Sequence, residues 1–442
     1  MTEIISHIYQ DNEGHWVIQS NEDHSAGVAK LASQFAGEFG MSEWGKVLGL
    51  LHDKGKETDA FQQYIKKESG YAPDIKICGK HHHAYVGGIL AQKYYGKSSY
   101  NLFVNQIVSH HTGLHDSDEI KGIVDQEIPS EVNIYHKKEK LNRPRLNVQA
   151  NDFHHLARML FSCLVDADYL DTEAFLDKES SALRQNKDAL NDLLPLLENK
   201  LKELKAKADS SEINIIRNQI QQQCLKMADT PTGFYSLTVP TGGGKTLSSL
   251  VWAIKHAIKN GQKRIVIAIP YTSIIVQTAS ILRSIFGEEN VLEHHSCVDL
   301  EQIKDEKLKE KMKLATENWD YPIIVTTNVQ LFVSMFSNKP SACRKLHNIV
   351  NSVIILDEVQ TLPTDYLQPI VDSLKTYNKL FNVSFLFTTA SQPVLSGFVE
   401  GCNPKAAFNG IDHITEIIPD DFKLPSNPQP IGFSGILLAK RQ

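Results

Sequence analysis

At 442 residues the chain is longer than a single hydrophobic core readily supports, so two domains are expected. Hydrophobic residues make up 41% of the chain and charged residues 22%, a composition typical of globular proteins. The net charge of -6 excludes a chain-wide polycation, so any contact with nucleic acid must be local.

Cysteine usage and hydropathy indicate the compartment. The chain has 6 cysteines without a C-x-x-C pair, which favours reduced thiols and a cytoplasmic location over disulfides or a zinc site. The stretch Met1 to Gly14 lacks the apolar core of a secretory signal, and no apolar run approaches the roughly 18 residues of a membrane-spanning helix. We therefore expect neither export nor insertion into a membrane.

The first part of the chain has helical periodicity. From about Asp23 to Asp171, apolar residues recur at helical spacing, and strand-like alternation is scarce. Between Thr172 and Glu212, leucines are interleaved with Lys, Glu and Asp, which predicts an exposed connecting helix or two. The sequence thus predicts an all-α domain with a helical linker over residues 1–210.

Beyond residue 210, short apolar runs alternate with helical segments. Such buried, β-branched runs are typical of an α/β domain with a mainly parallel sheet and helices on both faces, predicted here over residues 211–442. The runs are Phe234 to Val239, Arg264 to Ile269, Tyr321 to Thr327, Val353 to Leu356 and Val383 to Phe387.

A glycine-rich loop follows the first of these runs. The segment reads Pro-Thr-Gly-Gly-Gly-Lys-Thr up to Thr246, with Val239 where the general phosphate-loop pattern has its first glycine. Successive backbone N–H groups and the start of a helix at Lys245 suit the phosphates of ATP, and the Thr246 hydroxyl suits Mg²⁺. The predicted nucleotide-contacting residues of the loop are Thr241, Gly242, Gly243, Gly244, Lys245 and Thr246.

Two carboxylates follow a later apolar run. Asp357 and Glu358 come after Ser352 to Leu356, which places them at the carboxyl end of a strand, where open α/β sheets bind ligands. We expect Asp357 to hold Mg²⁺ through water and Glu358 to orient the attacking water.

A second set of candidate site residues lies in the helical half. His52 and Asp53 are adjacent at the end of an apolar helix, and Lys56 follows closely. Imidazole and carboxylate ligands without thiolates suit Mn²⁺, Fe²⁺, Co²⁺ or Ni²⁺ and argue against structural zinc. The expected metal ligands are His24, His52, Asp53, His83, His110, His111 and Asp168.

Some of these assignments leave alternatives. The run His81 to His83 is contiguous, so only one or two of its rings can point inward, and Gly87, four residues after His83, favours His83. Asp166 competes with Asp168. The identity of the metal and occupancy by one ion or two also stay open.

These motifs carry a family resemblance over roughly residues 20 to 400. The His and Asp cluster is similar to that of the HD phosphohydrolase superfamily, and the phosphate loop with Asp-Glu-Val-Gln is similar to superfamily 2 helicases. Together the two halves resemble the helicase–nuclease of type I CRISPR interference. Further matching segments are Ser109 to Gly113, Asp166 to Glu173, Glu293 to Ser296, Pro270 to Ser273, Thr326 to Asn328 and Thr389 to Ser391.

The resemblance implies a fold and roles for several residues. It implies an all-α HD domain followed by a RecA-like lobe, with Asp53 bridging two metals and Lys56 neutralising developing phosphate charge. In such motors Thr272, Ser273 and Thr327 would contact a single-strand backbone. Single-stranded DNA, ATP with Mg²⁺ and a guide-RNA surveillance complex are the implied substrate, cofactors and partner.

One feature departs from the family pattern. Such motors cleave ATP between two RecA-like lobes, and residues 211–442 leave room for only the first. We expect a shortened form or one half of a split protein, with a separate second lobe as a partner, weak ATP binding and no autonomous unwinding. Two alternatives are an HD phosphohydrolase that acts on nucleotides with a regulatory ATP-binding domain, and a non-catalytic ATP-dependent adaptor.

Overall fold

A computed structural model describes residues 3–79, 81–96, 100–133, 139, 141, 146–184, 187–239, 242–296, 305–389, 411 and 413–418. These residues divide into two compact units. Within the described ranges, the helical unit contains residues 3–184, 305–320 and 330–350. The sheet unit contains residues 187–296, 321–329 and 351–418. The boundary expected near residue 210 stays a prediction.

The strands and helices have the following bounds. The strands are β1 (Ile5–Gln10), β2 (Trp16–Ser20), β3 (Phe234–Thr238), β4 (Arg264–Ile269), β5 (Val291–His294), β6 (Ile323–Thr327), β7 (Ser352–Asp357), β8 (Ser384–Thr389) and β9 (Thr415–Glu416). The α-helices are α1 (Asn21–Gly37), α2 (Ser42–Leu51), α3 (Asp59–Glu68), α4 (Ala84–Tyr95), α5 (Asn105–Val108), α6 (Ser117–Val124), α7 (Phe153–Leu176), α8 (Lys178–Leu183), α9 (Leu190–Lys207), α10 (Glu212–Met227), α11 (Lys245–Lys259), α12 (Thr272–Phe286), α13 (Glu306–Asn318), α14 (Asn328–Phe336), α15 (Pro340–Cys343) and α16 (Leu367–Phe381).

The helical unit begins with an antiparallel hairpin of β1 and β2, which is an addition to the predicted helices. Helix α1 starts where the Ser20 hydroxyl accepts the backbone N–H of Asp23, a standard N-cap. Helix α2 ends at Leu51, so His52 and Asp53 lie in the turn that follows it. The predicted all-α character therefore holds from α1 onward in this unit.

Helices α1 and α2 pack with their backbones close together because glycine faces alanine between them. A β-carbon at Gly45 would lie 2.1 Å from the carbonyl oxygen of Ala32. A β-carbon at Gly49 would lie 2.4 Å from the Cα atom of Ala29. Larger residues would force the helices apart, so this contact brings His24 of α1 near the end of α2.

Helix α7 forms the centre of the helical unit. Leu156, Met159, Leu160 and Cys163 recur at helical spacing along it, and all four are buried. Asp166 and Asp168 are buried on the same helix, which makes α7 a source of charged groups as well as of core side chains.

The sheet unit contains a seven-stranded sheet in the order β5-β6-β4-β7-β8-β3-β9. All of its pairings are parallel, so the predicted mainly parallel sheet is confirmed. The five predicted apolar runs correspond to β3, β4, β6, β7 and β8, and their carboxyl ends meet at one edge. No helix in the described part of the chain has both the length and the apolar character that crossing a bilayer requires.

Helix α9 differs from the exposed connecting helix that was expected. Leu190, Leu193 and Leu197 are at most 4% exposed, and they share one apolar cluster with Ile267 and Val353 of the sheet. Because these leucines recur three and four residues apart, one face of the helix is apolar. That face is buried in the core of the sheet unit, while the charged residues cover the other side.

Candidate metal centre and nucleotide site

Asp53 lies at the centre of the His and Asp cluster and is 1% exposed. Its Oδ2 atom is 3.3 Å from the Nε2 atoms of both His24 and His52. Its Oδ1 atom is 3.3 Å from Nε2 of His83 and 3.4 Å from Nε2 of His110. The two oxygens of one carboxylate therefore face different pairs of imidazoles.

Two groups of side chains are close enough to hold a metal ion, and Asp53 belongs to both. Within each group the candidate ligand atoms lie within 4.8 Å of one another. This spacing allows one cation per group, with the Asp53 carboxylate between them. The first ligand group is His24, His52, Asp53 and Asp168, and the second ligand group is Asp53, His83, His110 and His111.

The far sides of the His52 and His110 rings are held in a way that directs Nε2 toward Asp53. Nδ1 of His52 is 2.8 Å from the carbonyl oxygen of Gly49, and Nδ1 of His110 is 2.6 Å from that of Ile107. A carbonyl oxygen only accepts, so each Nδ1 donates its proton there. Such second contacts orient imidazole ligands in metal sites.

Several buried atoms at the centre have no hydrogen-bond partner. Buried polar atoms in proteins are nearly always paired, so a group of unpaired atoms in one place needs an explanation. A cation that accepts imidazole nitrogen and carboxylate oxygen would satisfy all of them, so the donor set fits a metal. The atoms are Nε2 of His24, His52 and His110 and Oδ1 of Asp53, whereas Oδ2 of Asp53 is paired with Lys56.

Charge is distributed unequally between the two ligand groups. Burial lowers the pKa of His24, but its contacts with Asp168, Asp171 and Asp53 outweigh burial and raise the pKa to about 10. In the second ligand group, burial and the neighbouring His110 and His83 lower the pKa of His111 to about 3.

The neighbours of Asp53 also control its protonation. Burial alone would raise the pKa of Asp53, but His52 and Lys56 hold it well below its usual range. Burial likewise lowers the pKa of His52, and Asp53 and Asp168 reverse that effect and raise it to about 9. A cation that binds at Nε2 must replace a proton on such a ring, so metal uptake releases protons.

Lys56 is brought to the centre, as the sequence predicts. Its Nζ atom lies 2.6 Å from Oδ2 of Asp53 and donates a hydrogen bond of 3.1 Å to the Ser6 hydroxyl. The ammonium also lies 5.8 Å above the ring of Phe61. Lys56 is 5% exposed, so these contacts take the place of water around its ammonium group.

The three contiguous histidines, His81 to His83, have different positions relative to the metal centre. His83 joins the second ligand group, whereas His81 and His82 belong to neither group. A β-carbon at Gly55 would lie 2.0 Å from the carbonyl oxygen of His83, and one at Gly87 would lie 1.9 Å from that of Leu51. These close backbone approaches fix His83 against the turn that carries Asp53.

The two competing aspartates of α7 have different surroundings. Oδ1 of Asp168 is 3.3 Å from Nε2 of His24, within the first ligand group. Asp166 instead accepts hydrogen bonds from Arg344 Nε at 2.7 Å, from His347 Nε2 at 2.9 Å and from Asn318 Nδ2 at 3.0 Å. Asp166 is therefore committed to a buried ion pair within the helical unit.

Asp171 has a position at the centre that the sequence did not predict. Its Oδ2 atom is 2.8 Å from Nδ1 of His24 and accepts a hydrogen bond of 2.8 Å from Gln19. A β-carbon at Gly27 would lie 1.8 Å from its other carboxylate oxygen, so glycine leaves room for Asp171. The signal was the spacing of three between Asp168 and Asp171, which places both on one helix face.

The phosphate loop lies between β3 and α11. Gly244 has a φ of +81°, a conformation that favours glycine, and it directly precedes the first residue of α11, Lys245. Gly243 is buried, whereas Gly242 and Thr246 are exposed. The predicted contact Thr241 lies outside the described residues.

Lys245 and the Asp-Glu pair come together, although they are far apart in sequence. Nζ of Lys245 is 2.8 Å from Oδ1 of Asp357 and also pairs with Glu358. Asp357 is the last residue of β7, at the edge predicted for ligand binding. Arg217 of α10 donates a hydrogen bond of 2.9 Å to the carbonyl oxygen of Gly242, a contact that no motif signalled.

The residues predicted to contact nucleic acid lie near the same edge. Thr272 and Ser273 are exposed at the start of α12, which follows β4, and Thr327 ends β6. Strands β4 and β6 are paired neighbours, with Ile269 opposite Thr327. Of the segment Thr389 to Ser391, only Thr389 is among the described residues.

Comparison with known proteins gives two family matches. Residues 21–148 match the HD domain, and residues 218–396 match the DEAD/DEAH box helicase family. The chain is similar to the CRISPR-associated nuclease/helicase Cas3 of Haloferax volcanii, with 30% identity over 193 residues, which is 39% of this chain and 20% of that protein.

Solved structures share the fold. A structure of T. fusca Cas3 matches 92% of this chain and 51% of its own, with a TM-score of 0.58 and 15% identity. A CRISPR RNA-guided surveillance complex in a pre-nicking state contains a chain with a TM-score of 0.51 and 14% identity, matched over 88% of this chain and 48% of its own. The chain thus spans about half the length of these structures.

Proposed function

We propose that this chain cuts single-stranded DNA. Its matches to the HD domain and to the DEAD/DEAH box helicase family, and its similarity to part of Cas3, support this proposal. The cut would be made by metal-dependent hydrolysis at the HD centre, alongside an ATP-dependent motor domain. The observation that carries the proposal is the sharing of Asp53 between two ligand groups.

The residues of the centre would each have a distinct task. Divalent cations at such a centre supply a water of lowered pKa and stabilise charge on a leaving oxygen. Asp53 would contribute a ligand oxygen to each group, because each of its oxygens faces a different pair of imidazoles. Lys56 keeps a positive charge beside Asp53, where phosphate charge would develop. Asp171 orients His24 from behind.

The donor set supports a class of metal. Imidazole nitrogens and carboxylate oxygens make up both ligand groups, without a thiolate. Mn²⁺, Fe²⁺, Co²⁺ and Ni²⁺ accept this mixture, whereas Mg²⁺ prefers oxygen ligands. We propose one of these transition metals for the HD centre.

The phosphate loop would bind ATP with Mg²⁺. Lys245 is paired with Asp357 and Glu358, and its ammonium would turn to the phosphate oxygens when nucleotide binds. The freed carboxylates would then take their expected tasks, Asp357 toward Mg²⁺ and Glu358 toward the attacking water. Weak ATP turnover by this chain alone stays a prediction, which a DNA-stimulated ATPase assay tests.

A biological setting follows from the relatives. Likeness to a chain in an RNA-guided surveillance complex supports recruitment by such a complex in CRISPR interference, with a second helicase lobe as a further partner. The described cysteines, Cys78, Cys163, Cys224 and Cys343, are free thiols, which suits the cytoplasm.

Cleavage of a single-stranded DNA circle tests the proposed function. The circle should be nicked in the presence of Mn²⁺ or Co²⁺, with and without ATP, and Asp53→Ala should abolish nicking because both ligand groups lose a member. Metal analysis of the parent and of Asp53→Ala reports on the centre itself. Phosphate release from nucleotides with an intact circle would favour the nucleotide phosphohydrolase, and unchanged bound metal would favour the adaptor.

A further inference from the structure

Three aromatic rings form a column beside the metal centre. The rings of Tyr64 and His81 are stacked with centroids 4.3 Å apart and planes 9° apart. The rings of His81 and His82 follow with centroids 5.5 Å apart and planes 20° apart. We name Tyr64, His81 and His82 the ring column.

The ring column is continuous with the second ligand group. The ring of His83 packs edge-on against Phe61 at 4.9 Å, and Phe61 lies 6.1 Å from Tyr64 on the same face of α3. Successive ring contacts thus lead from His83, whose Nε2 faces Asp53, outward to His82. His82, at the exposed end of the ring column, also directly precedes His83 in the sequence, so that end is one residue away from the second ligand group.

Exposure increases along this path. Phe61 is 5% exposed, Tyr64 and His81 are half-buried, and His82 is exposed. In the described part of the chain no further ring stacks on His82. The last ligand of the second group, His111, is exposed as well, so the ring column and this group open to solvent on the helical unit.

We propose that the ring column is a stacking platform for a base of single-stranded nucleic acid, which rests on the proposed nuclease function. A base would stack on the exposed end of the column at His82, and the adjoining phosphodiester would then lie toward the second ligand group. Lys67 is exposed three residues after Tyr64 on α3, where its ammonium would meet the backbone phosphates.

This arrangement gives a substrate preference. Every base has a π-face, so stacking accepts any sequence, but it needs an unpaired base that can leave its neighbours. The bases of a duplex are already stacked and paired, whereas those of a single strand are free. The ring column would therefore select single strands over duplexes without reading their sequence.

A comparison of two oligomers tests the ring column. One is an oligothymidylate, and the other has the same length and phosphates but abasic residues in place of thymidine. The parent protein, free of metal so that no cleavage occurs, is expected to bind the oligothymidylate more tightly in a fluorescence anisotropy assay. His82→Ala should lose at least about fivefold of affinity for the oligothymidylate, since stacking contributes about 1–3 kcal/mol per base. Its affinity for the abasic oligomer should change by less than about twofold.

Matched variants separate base stacking from a purely structural role of the ring column in positioning His83. Tyr64→Phe keeps the ring and should keep the preference, whereas Tyr64→Leu should lose it. His15→Ala removes an exposed imidazole from the turn between β1 and β2 and should bind both oligomers like the parent. Bound Mn²⁺ should be the same in all four variants, because none of them removes a member of a ligand group.

Each result has one meaning. Equal binding of the two oligomers by the parent, or an equal loss on both oligomers in His82→Ala, would overturn the stacking platform. Lower bound Mn²⁺ in His82→Ala would overturn it too, since the ring column would then serve to place His83. A parent that binds with the expected preference but cuts neither oligomer with Mn²⁺ would instead count against the nuclease.

Discussion

Asp166→Asn is expected to destabilise the helical unit without removing metal, whereas Asp168→Asn should remove metal at a smaller cost in stability. Asp166 is fully buried and accepts hydrogen bonds from Arg344, His347 and Asn318. An asparagine offers one acceptor oxygen, and its amide N–H groups would face at least one of these donors. The buried guanidinium of Arg344 would lose its closest negative charge.

The size of the effect follows from burial. Breaking a buried ion pair by removing one partner costs about 3–5 kcal/mol, because the remaining charge stays desolvated. For a unit of this size, each kcal/mol corresponds to about 2–4 °C in melting temperature. Asp166→Asn should therefore lower the melting temperature of the metal-free protein by about 6–20 °C, which thermal circular dichroism measures.

Bound metal is expected to rank Asp166→Asn and Asp168→Asn in the opposite order. Asp168 lies 3.3 Å from Nε2 of His24 and 3.6 Å from Nε2 of His52, so Asp168→Asn removes a carboxylate from the first ligand group. Bound Mn²⁺, measured by mass spectrometry well below the melting temperature, should fall for Asp168→Asn and stay at the parental level for Asp166→Asn. A loss of metal in Asp166→Asn with an unchanged melting temperature would refute this assignment.

Two further substitutions probe backbone fit and nucleotide binding. Gly55→Ala places a β-carbon 2.0 Å from the carbonyl oxygen of His83, so it should lower both bound Mn²⁺ and the melting temperature, whereas Gly122→Ala, with open space around it, should lower neither. In the parent, ATP and Mg²⁺ at 100 times the dissociation constant should add about 2.7 kcal/mol of stability and so raise the melting temperature. Lys245→Ala should abolish this rise, and Lys259→Ala on the same helix should keep it. A parental nucleotide response in Lys245→Ala would contradict its assignment to the phosphate loop.

The structure brings the predicted ligands together, including His83 and Asp168, but the sequence alone left Asp166 open as an alternative to Asp168. The strands followed from β-branched apolar runs, because such runs have few alternatives in an α/β domain. Asp166 and Asp168 lie two positions apart and so point to different sides of α7, and periodicity does not say which side faces the histidines. The partners of Asp166, Arg344 and His347, come from a segment distant in sequence, so no local pattern revealed them.

The leucines of α9 illustrate another limit. Their spacing of three and four residues was visible, but the many charged residues around them suggested exposure. Leu193 and Leu197 are nevertheless buried, because a helix needs only one apolar face to join a core. Asp171 was overlooked for a related reason. Asp171 contacts Nδ1 of His24, whereas Nε2 of the same ring faces Asp53. Ligand motifs describe the residues that contact the metal and not the residues that orient those ligands.

Both candidate sites share one electrostatic arrangement, which has a consequence for folding. Lys56 pairs with Asp53 at the metal centre, and Lys245 pairs with Asp357 and Glu358 at the nucleotide site. In each case an ammonium neutralises carboxylates that a cation or cation–nucleotide complex would contact, so Asp53, Asp357 and Glu358 have a counter-charge without the ligand, and Asp168 is paired with His24 and His52. We therefore expect the protein to stay folded after treatment with a chelator, with an unchanged far-ultraviolet circular dichroism spectrum at 25 °C, and metal to add stability only by binding. Unfolding of the helical unit on chelation would show that Lys56 does not balance the charge of Asp53.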